Sequence, residues 1–137
     1  MKTRTLLISS LLVGLGLLAA PVATGSKAFA ASSLVETLDR DSDRTLDLDE
    51  VTKAASAVYD RLDKDHDGTL DRKEAGSRID RKEFSAADTD HDGTLSKDEY
   101  LALVEKLFKK ADTNNDGTLD AKELRSKAGR ALARLLR

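Results

Sequence analysis

Residues 63–74 read D-K-D-H-D-G-T-L-D-R-K-E, and the spacing of their oxygens decides how the rest of the chain is read. Asp63, Asp65 and Asp67 place carboxylates at positions 1, 3 and 5 of a twelve-residue loop. Thr69 offers its backbone carbonyl at position 7, Asp71 holds a water at 9, and Glu74 closes the shell at 12 with both oxygens. Hard oxygen donors in this arrangement suit a large hard cation, not zinc or copper. Gly68 stands at position 6, where the chain reverses with positive φ, a conformation that costs a residue bearing a Cβ about 1 to 2 kcal/mol.

This pattern is the EF-hand calcium loop, and it recurs at closely similar intervals. Loops begin at Asp39, Asp63, Asp88 and Asp112, so successive starts are 24, 25 and 24 residues apart. Loop 1, residues 39–50, brings Asp39, Asp41, Asp43, Thr45, Asp47 and Glu50; loop 3, residues 88–99, brings Asp88, Asp90, Asp92, Thr94, Ser96 and Glu99. Loop 4, residues 112–123, brings Asp112, Asn114, Asp116, Thr118, Asp120 and Glu123. Gly93 and Gly117 repeat the turn glycine, whereas loop 1 has Arg44 there, which carries the backbone cost and a positive charge beside the ion. Loop 1 is therefore expected to be the weakest of up to four sites. Leu46, Leu70, Leu95 and Leu119 fill position 8 throughout, as paired loops require for a short backbone bridge.

The segments between loops are 12, 13 and 12 residues long, too short for two helices and a turn, so one helix must serve two loops. Residues 51–62 and 100–111 have no breaker and carry apolar residues at helical spacing, Ala55, Val58, Tyr59 and Leu62 in one, Leu101, Val104, Leu107, Phe108 and Ala111 in the other. Extended into the preceding loop, each spans about 15 residues, or about 22 Å. Gly76 and Ser77 interrupt the middle segment, and Asp80 with Glu83 forms a capping box flanked by Ile79 and Phe84 as a hydrophobic staple. A helix, a corner and a second helix follow. The corner sets loop 2 beside loop 3, the long helices become antiparallel, and loop 1 meets loop 4. A C-terminal stripe of Leu124, Ala128, Ala131, Leu132 and Leu135 is placed to pack back across the long helices. The fold class expected is all-α.

Lys2 and Arg4 precede an apolar run over residues 6–20, and Ala28-Phe29-Ala30 forms an A-x-A cleavage site, so residues 1–30 read as a secretory signal peptide cleaved after Ala30. Gly14, Gly16 and Pro21 break the run short of the roughly 20 residues a membrane span needs. The remaining four-loop domain, residues 31–137, is expected to be periplasmic or secreted and to have no membrane partner. Without cysteine it uses neither a disulfide framework nor a lipid anchor.

Removing Lys2, Arg4 and Lys27 from 23 basic residues leaves 20 against 25 acidic ones, a net charge near −5 that argues against a nucleic-acid partner. Eighteen of those acids lie at ligand positions of the loops, five in each of loops 1 and 2 and four in each of loops 3 and 4. Gathering them without cations is costly, so ion binding is expected to drive compaction. His66 and His91 sit at position 4, whose side chain points away from the ion, and no nucleophile–base pair is available, so an enzyme is not expected. A calcium buffer, or a sensor that docks a protein partner, is the alternative class; the absence of any methionine after Met1 weighs against a sensor groove.

The whole of residues 31–137 resembles lanmodulin, a family of exported bacterial EF-hand proteins that bind trivalent lanthanide ions. The likeness covers four loops at the same close spacing, the unbroken, broken, unbroken order of the segments between them, and an ending, residues 123–137, that reads E-L-R-S-K-A-G-R-A-L-A-R-L-L-R. The resemblance implies a compact three-helix core with metal sites at its periphery, folding on metal binding, and preference for lanthanides over Ca2+. A trivalent ion of calcium-like radius gains more from each carboxylate, so Asp47, Asp71 and Asp120 at position 9 favour the higher charge; loop 3 has Ser96 instead. The chain departs from the family at position 2, where Arg40, Lys64, Thr89 and Thr113 replace proline. It departs again at Asp112, where the family often begins with asparagine.

Overall fold

A computed structural model describes residues 26–137. Residues 1–25, most of the expected signal peptide, lie outside the described residues. The first helix, α1 (Ser26–Leu38), crosses the expected cleavage point and buries Ala31, Leu34 and Val35 beyond it. Residues 31–38, which the loop repeat does not reach, carry a short helical stripe of Leu34, Val35 and Leu38. Among the described residues no helix is long and apolar enough to cross a membrane.

Both long helices have the expected length. Helix α2 (Leu48–Leu62) and helix α5 (Lys97–Ala111) are 15 residues each. Between them lie α3 (Arg72–Ala75) and α4 (Arg81–Ala87), separated by a corner at Gly76, whose φ of 56° and ψ of −137° no residue with a side chain adopts without strain. The Asp80–Glu83 capping box starts α4 as expected, and Ile79 and Phe84 are both buried. A single 3-10 turn, Glu123–Arg125, leads into α6 (Lys127–Leu135).

Four two-residue strands join the loops in pairs: β1 (Leu46–Asp47), β2 (Thr69–Leu70), β3 (Leu95–Ser96) and β4 (Thr118–Leu119). Strand β2 pairs antiparallel with β3, setting Leu70 opposite Leu95, and β1 pairs antiparallel with β4, setting Leu46 opposite Leu119. The start of α2 therefore lies beside the end of α5 and the reverse, so the two helices run antiparallel and the pairing is 2 with 3 and 1 with 4, as expected. All four position-8 leucines are fully buried.

Helix α5 is the middle of the core, packed against α2, α6 and α4. Tyr100 on α5 is fully buried, stacks edge-on against Tyr59 of α2, and donates its hydroxyl to the carbonyl of Leu135, 2.8 Å away on α6. Burial pushes the Tyr100 phenol well above its ordinary range, so the hydroxyl remains a donor. Leu124, Ala131, Leu132 and Leu135 face inward while Ala128 is half-buried, so the C-terminal stripe packs across the long helices. The metal loops lie at the two ends of this α2–α5–α6 core.

Candidate metal centres

Each loop starts where a helix stops. The backbone N–H groups of Asp39, Asp63, Asp88 and Asp112 donate to the carbonyls of Val35, Tyr59, Phe84 and Phe108, four residues earlier, at 2.8, 3.0, 2.9 and 2.9 Å. Each loop also ends by starting a helical turn. The position-9 side chain accepts the N–H of the position-12 glutamate, at 2.7 Å from Glu50 to Asp47, 2.8 Å from Glu74 to Asp71, 3.3 Å from Glu99 to Ser96 and 2.7 Å from Glu123 to Asp120. In loops 1 to 3 the position-9 residue is thus an N-cap as well as a candidate water holder. A serine does the capping in loop 3 and leaves one carboxylate fewer there.

The glutamates are aimed across their loops by two backbone donors each. Oε2 of Glu50, Glu74, Glu99 and Glu123 accepts from the position-9 N–H at 3.1, 3.1, 3.0 and 3.2 Å. Oε1 accepts from the position-2 N–H of Arg40, Lys64, Thr89 and Thr113 at 2.6, 3.0, 2.7 and 2.9 Å. A proline at position 2 would lack that donor. Thr89 and Thr113 add their hydroxyls to the same oxygen, at 2.7 Å on Glu99 and 3.2 Å on Glu123, a role for position 2 that sequence reasoning missed. The Thr89 N–H and hydroxyl, with help from Ser96, hold the Glu99 carboxyl down at about 2.

Within the loops the backbone turns inward on its own carboxylates. Position-5 Asp43, Asp67, Asp92 and Asp116 accept the N–H and hydroxyl of the threonine two residues on. The Thr118 donors, with the Asn114 amide, lower the Asp116 pKa. Position-3 Asp41, Asp65, Asp90 and Asn114 accept the position-5 N–H. Oδ2 of the opening aspartate accepts the position-6 N–H at 3.1 Å from Gly68, 3.1 Å from Gly93 and 3.0 Å from Gly117.

The remaining oxygen of those opening aspartates decides the chemistry. Oδ1 of Asp63, Asp88 and Asp112 is buried and has no hydrogen-bond partner. An ionised oxygen stripped of water and left without a donor is costly unless a cation faces it. Around two of them the other carboxylates converge: Asp63, Asp65 and Glu74 lie within 4.8 Å of one another, as do Asp88, Asp90 and Glu99. The residues fit a hard, oxygen-seeking ion. The sequence matches the EF hand family over residues 79–104 and again over 103–126, which contain loops 3 and 4. Over residues 79–126 the chain thus carries EF-hand sequence, and the acidic groups of loops 2 and 3 could hold a metal ion. Loops 1 and 2 lie outside the matched segments, and no curated protein matches the chain significantly.

The four loops are not equivalent. In loop 1 Asp39, Asp41 and Asp43 converge without Glu50, and both Asp39 oxygens are taken, Oδ1 by the Ser42 N–H at 2.6 Å and Oδ2 by the Arg44 N–H at 2.9 Å. Desolvation works against ionised Asp39, yet the Arg44 and Ser42 N–H groups outweigh it and its pKa is lowered. Asp41 gains from the Asp43 N–H but loses more to desolvation, to the charges of Asp43 and Glu50 and to a side-chain hydrogen bond with Asp39, so its pKa is raised. Arg44 adopts the expected left-handed φ, 70°. In loop 4 the Asn114 amide donates to Asp116 Oδ2 at 2.7 Å, occupying an oxygen that the aspartates of loops 2 and 3 leave free of such a donor. In loop 2 the N–H groups of Glu74 and Lys73 and the Lys73 charge lower the pKa of Asp71. His66 and His91 are exposed, at φ of 59° and 61°.

Proposed function

We propose that the protein is an exported, lanmodulin-like metal binder that takes Ca2+ and, more tightly, trivalent lanthanide ions, and that folds fully only on binding them. The reading rests on the unpartnered, buried Oδ1 atoms of Asp63, Asp88 and Asp112, each an acceptor that the protein supplies with no donor of its own. Charge supports it. Among the described residues the salt bridges are Lys97–Asp60, Lys109–Glu105 and Arg134–Glu83, so none neutralises a loop carboxylate. The loops' charge is left for the ion, and an ion of charge three gains more from it than one of charge two. Export to the periplasm or beyond is supported by the Lys2 to Ala30 leader pattern.

Competitive titration with terbium and calcium tests the ion preference, with Tyr59 and Tyr100 excited to sensitise terbium emission. Terbium is expected to hold its sites against millimolar calcium. Displacement of equimolar terbium by millimolar calcium would leave an ordinary calcium buffer or sensor.

A further inference from the structure

The four residues whose carbonyls receive the opening aspartate's N–H, Val35, Tyr59, Phe84 and Phe108, are equivalent by position, and one of them carries a hydroxyl. Tyr59 Oη lies 2.8 Å from the carbonyl oxygen of Gly68 and 3.0 Å from that of Leu95. Gly68 belongs to loop 2 and Leu95 to loop 3, 36 residues from Tyr59. Gly68 immediately precedes Thr69 and Leu95 immediately follows Thr94, the two residues expected to turn a backbone carbonyl toward their ions.

We propose that Tyr59 is a positioning residue that couples the loop 2 and loop 3 metal sites, by sharing one hydroxyl proton between the two loop backbones. The proposal rests on the metal-binding reading above and goes beyond it, because it says which two sites communicate and through which atom. The Gly68–Thr69 peptide is pinned from both sides, its oxygen by the Tyr59 hydroxyl and its N–H by Asp67 Oδ1 at 2.8 Å. A rotation of that peptide when the Thr69 carbonyl engages an ion shifts the hydroxyl's share toward one loop or the other. The ring itself is held fast: it is buried, packed edge-on against Tyr100 with centroids 5.4 Å apart, and covered by the Lys97 ammonium at 5.8 Å. Movement at one loop is therefore passed to the other and not absorbed by the side chain. At the corresponding place before loop 4 stands Phe108, which has no hydroxyl, so loops 1 and 4 are joined by the β1–β4 bridge without this link.

A double-mutant cycle tests the coupling, since coupling between sites is reciprocal and vanishes when either site is lost. The protein, Tyr59→Phe, Glu74→Gln and the double variant are titrated with Ca2+ and with La3+, following the amide signals of Gly68, Gly93 and Gly117. Glu74→Gln removes the loop 2 carboxylate that closes the site. Tyr59→Phe is expected to raise the Gly93 midpoint about fivefold when loop 2 is intact, the scale of one net buried hydrogen bond, and to leave it unchanged beside Glu74→Gln. The Gly93 shift is expected to exceed any shift at Gly117 of loop 4, which reports the change in overall stability that ion-driven folding passes to every site. An equal shift of Gly93 in both backgrounds, a shift of Gly117 as large as that of Gly93, or no shift at all overturns the coupling. No response at Gly68 or Gly93 in the unsubstituted protein to either ion overturns the metal reading and the coupling with it.

Discussion

Glu99 shows how a single carboxylate is set by its neighbours before any ion arrives. Its Oε1 takes both the N–H and the hydroxyl of Thr89, and its Oε2 both the N–H and the hydroxyl of Ser96. These donors favour the ionised form and hold the pKa at about 2, against an ordinary 4.5. The folded-state pKa is depressed, so the stability it confers on the metal-free protein is complete above the unfolded value near 4.5 and is lost as pH falls toward 2. Carboxyl NMR on the metal-free protein should place the Glu99 midpoint near 2, and Thr89→Val should raise it part of the way to 4.5, because the backbone donor survives. A native midpoint at 4.5 would refute the assignment. Position 2 was the place where the sequence departed from its resemblance, and the side chain that replaces proline there in loops 3 and 4 turns out to clasp the glutamate at position 12.

At the scale of elements, the same residues that could bind an ion also begin the helices. Asp47, Asp71 and Ser96 cap α2, α3 and α5, each in a box with the loop's own glutamate. Those boxes act between residues three apart and start α2 and α5 where the segment lengths and apolar spacing of residues 51–62 and 100–111 place them. The end of loop 4 is different. Its Asp120–Glu123 pair starts a 3-10 turn, and α6 begins anew at Ser126, whose hydroxyl accepts the Gly129 N–H at 2.9 Å. Gly129 lies flush on that turn: a Cβ there would stand 2.5 Å from the Leu124 Cα and closer still to the Glu123 carbonyl oxygen. Gly129→Ala should destabilise the protein by about 1–3 kcal/mol and weaken loop 4 more than loops 2 and 3. Denaturant unfolding checks the first part, and an unchanged midpoint would contradict the packing. Nothing local in A-G-R announces this glycine, because the clash it avoids is with another element.

For the whole molecule, stability and ion occupancy are one quantity if ions bind only the native state. Each site filled at a hundredfold excess over its Kd adds about 2.7 kcal/mol, a large share of the total for a domain this size. The melting temperature should therefore climb steadily with the logarithm of lanthanum or calcium concentration, and far-UV circular dichroism should gain helical signal on the first additions to metal-free protein. A melting temperature indifferent to either ion would rule out ion-driven folding. The rise should come first from loops 2 and 3, whose carboxylates already converge about an unpartnered aspartate oxygen, and last from loop 1, where Ser42 and Arg44 have taken both oxygens of Asp39.

The repeat of loops, their glycines and leucines, the two 15-residue helices, the corner at Gly76 and the 2–3 and 1–4 pairing were all determined by the sequence. Each follows from contacts a few residues long or from segment lengths that leave one way to connect the parts. Tertiary structure alone decided which oxygens remain free for an ion, since that depends on how the folded backbone shares its N–H groups among them. It alone brought the Tyr59 hydroxyl to Leu95 and set Gly129 against Glu123. The first contact spans 36 residues and the second folds one helical element flush against the next, and hydrogen bonds and close packing of that kind are specified by the assembled core, not by any local pattern of residues.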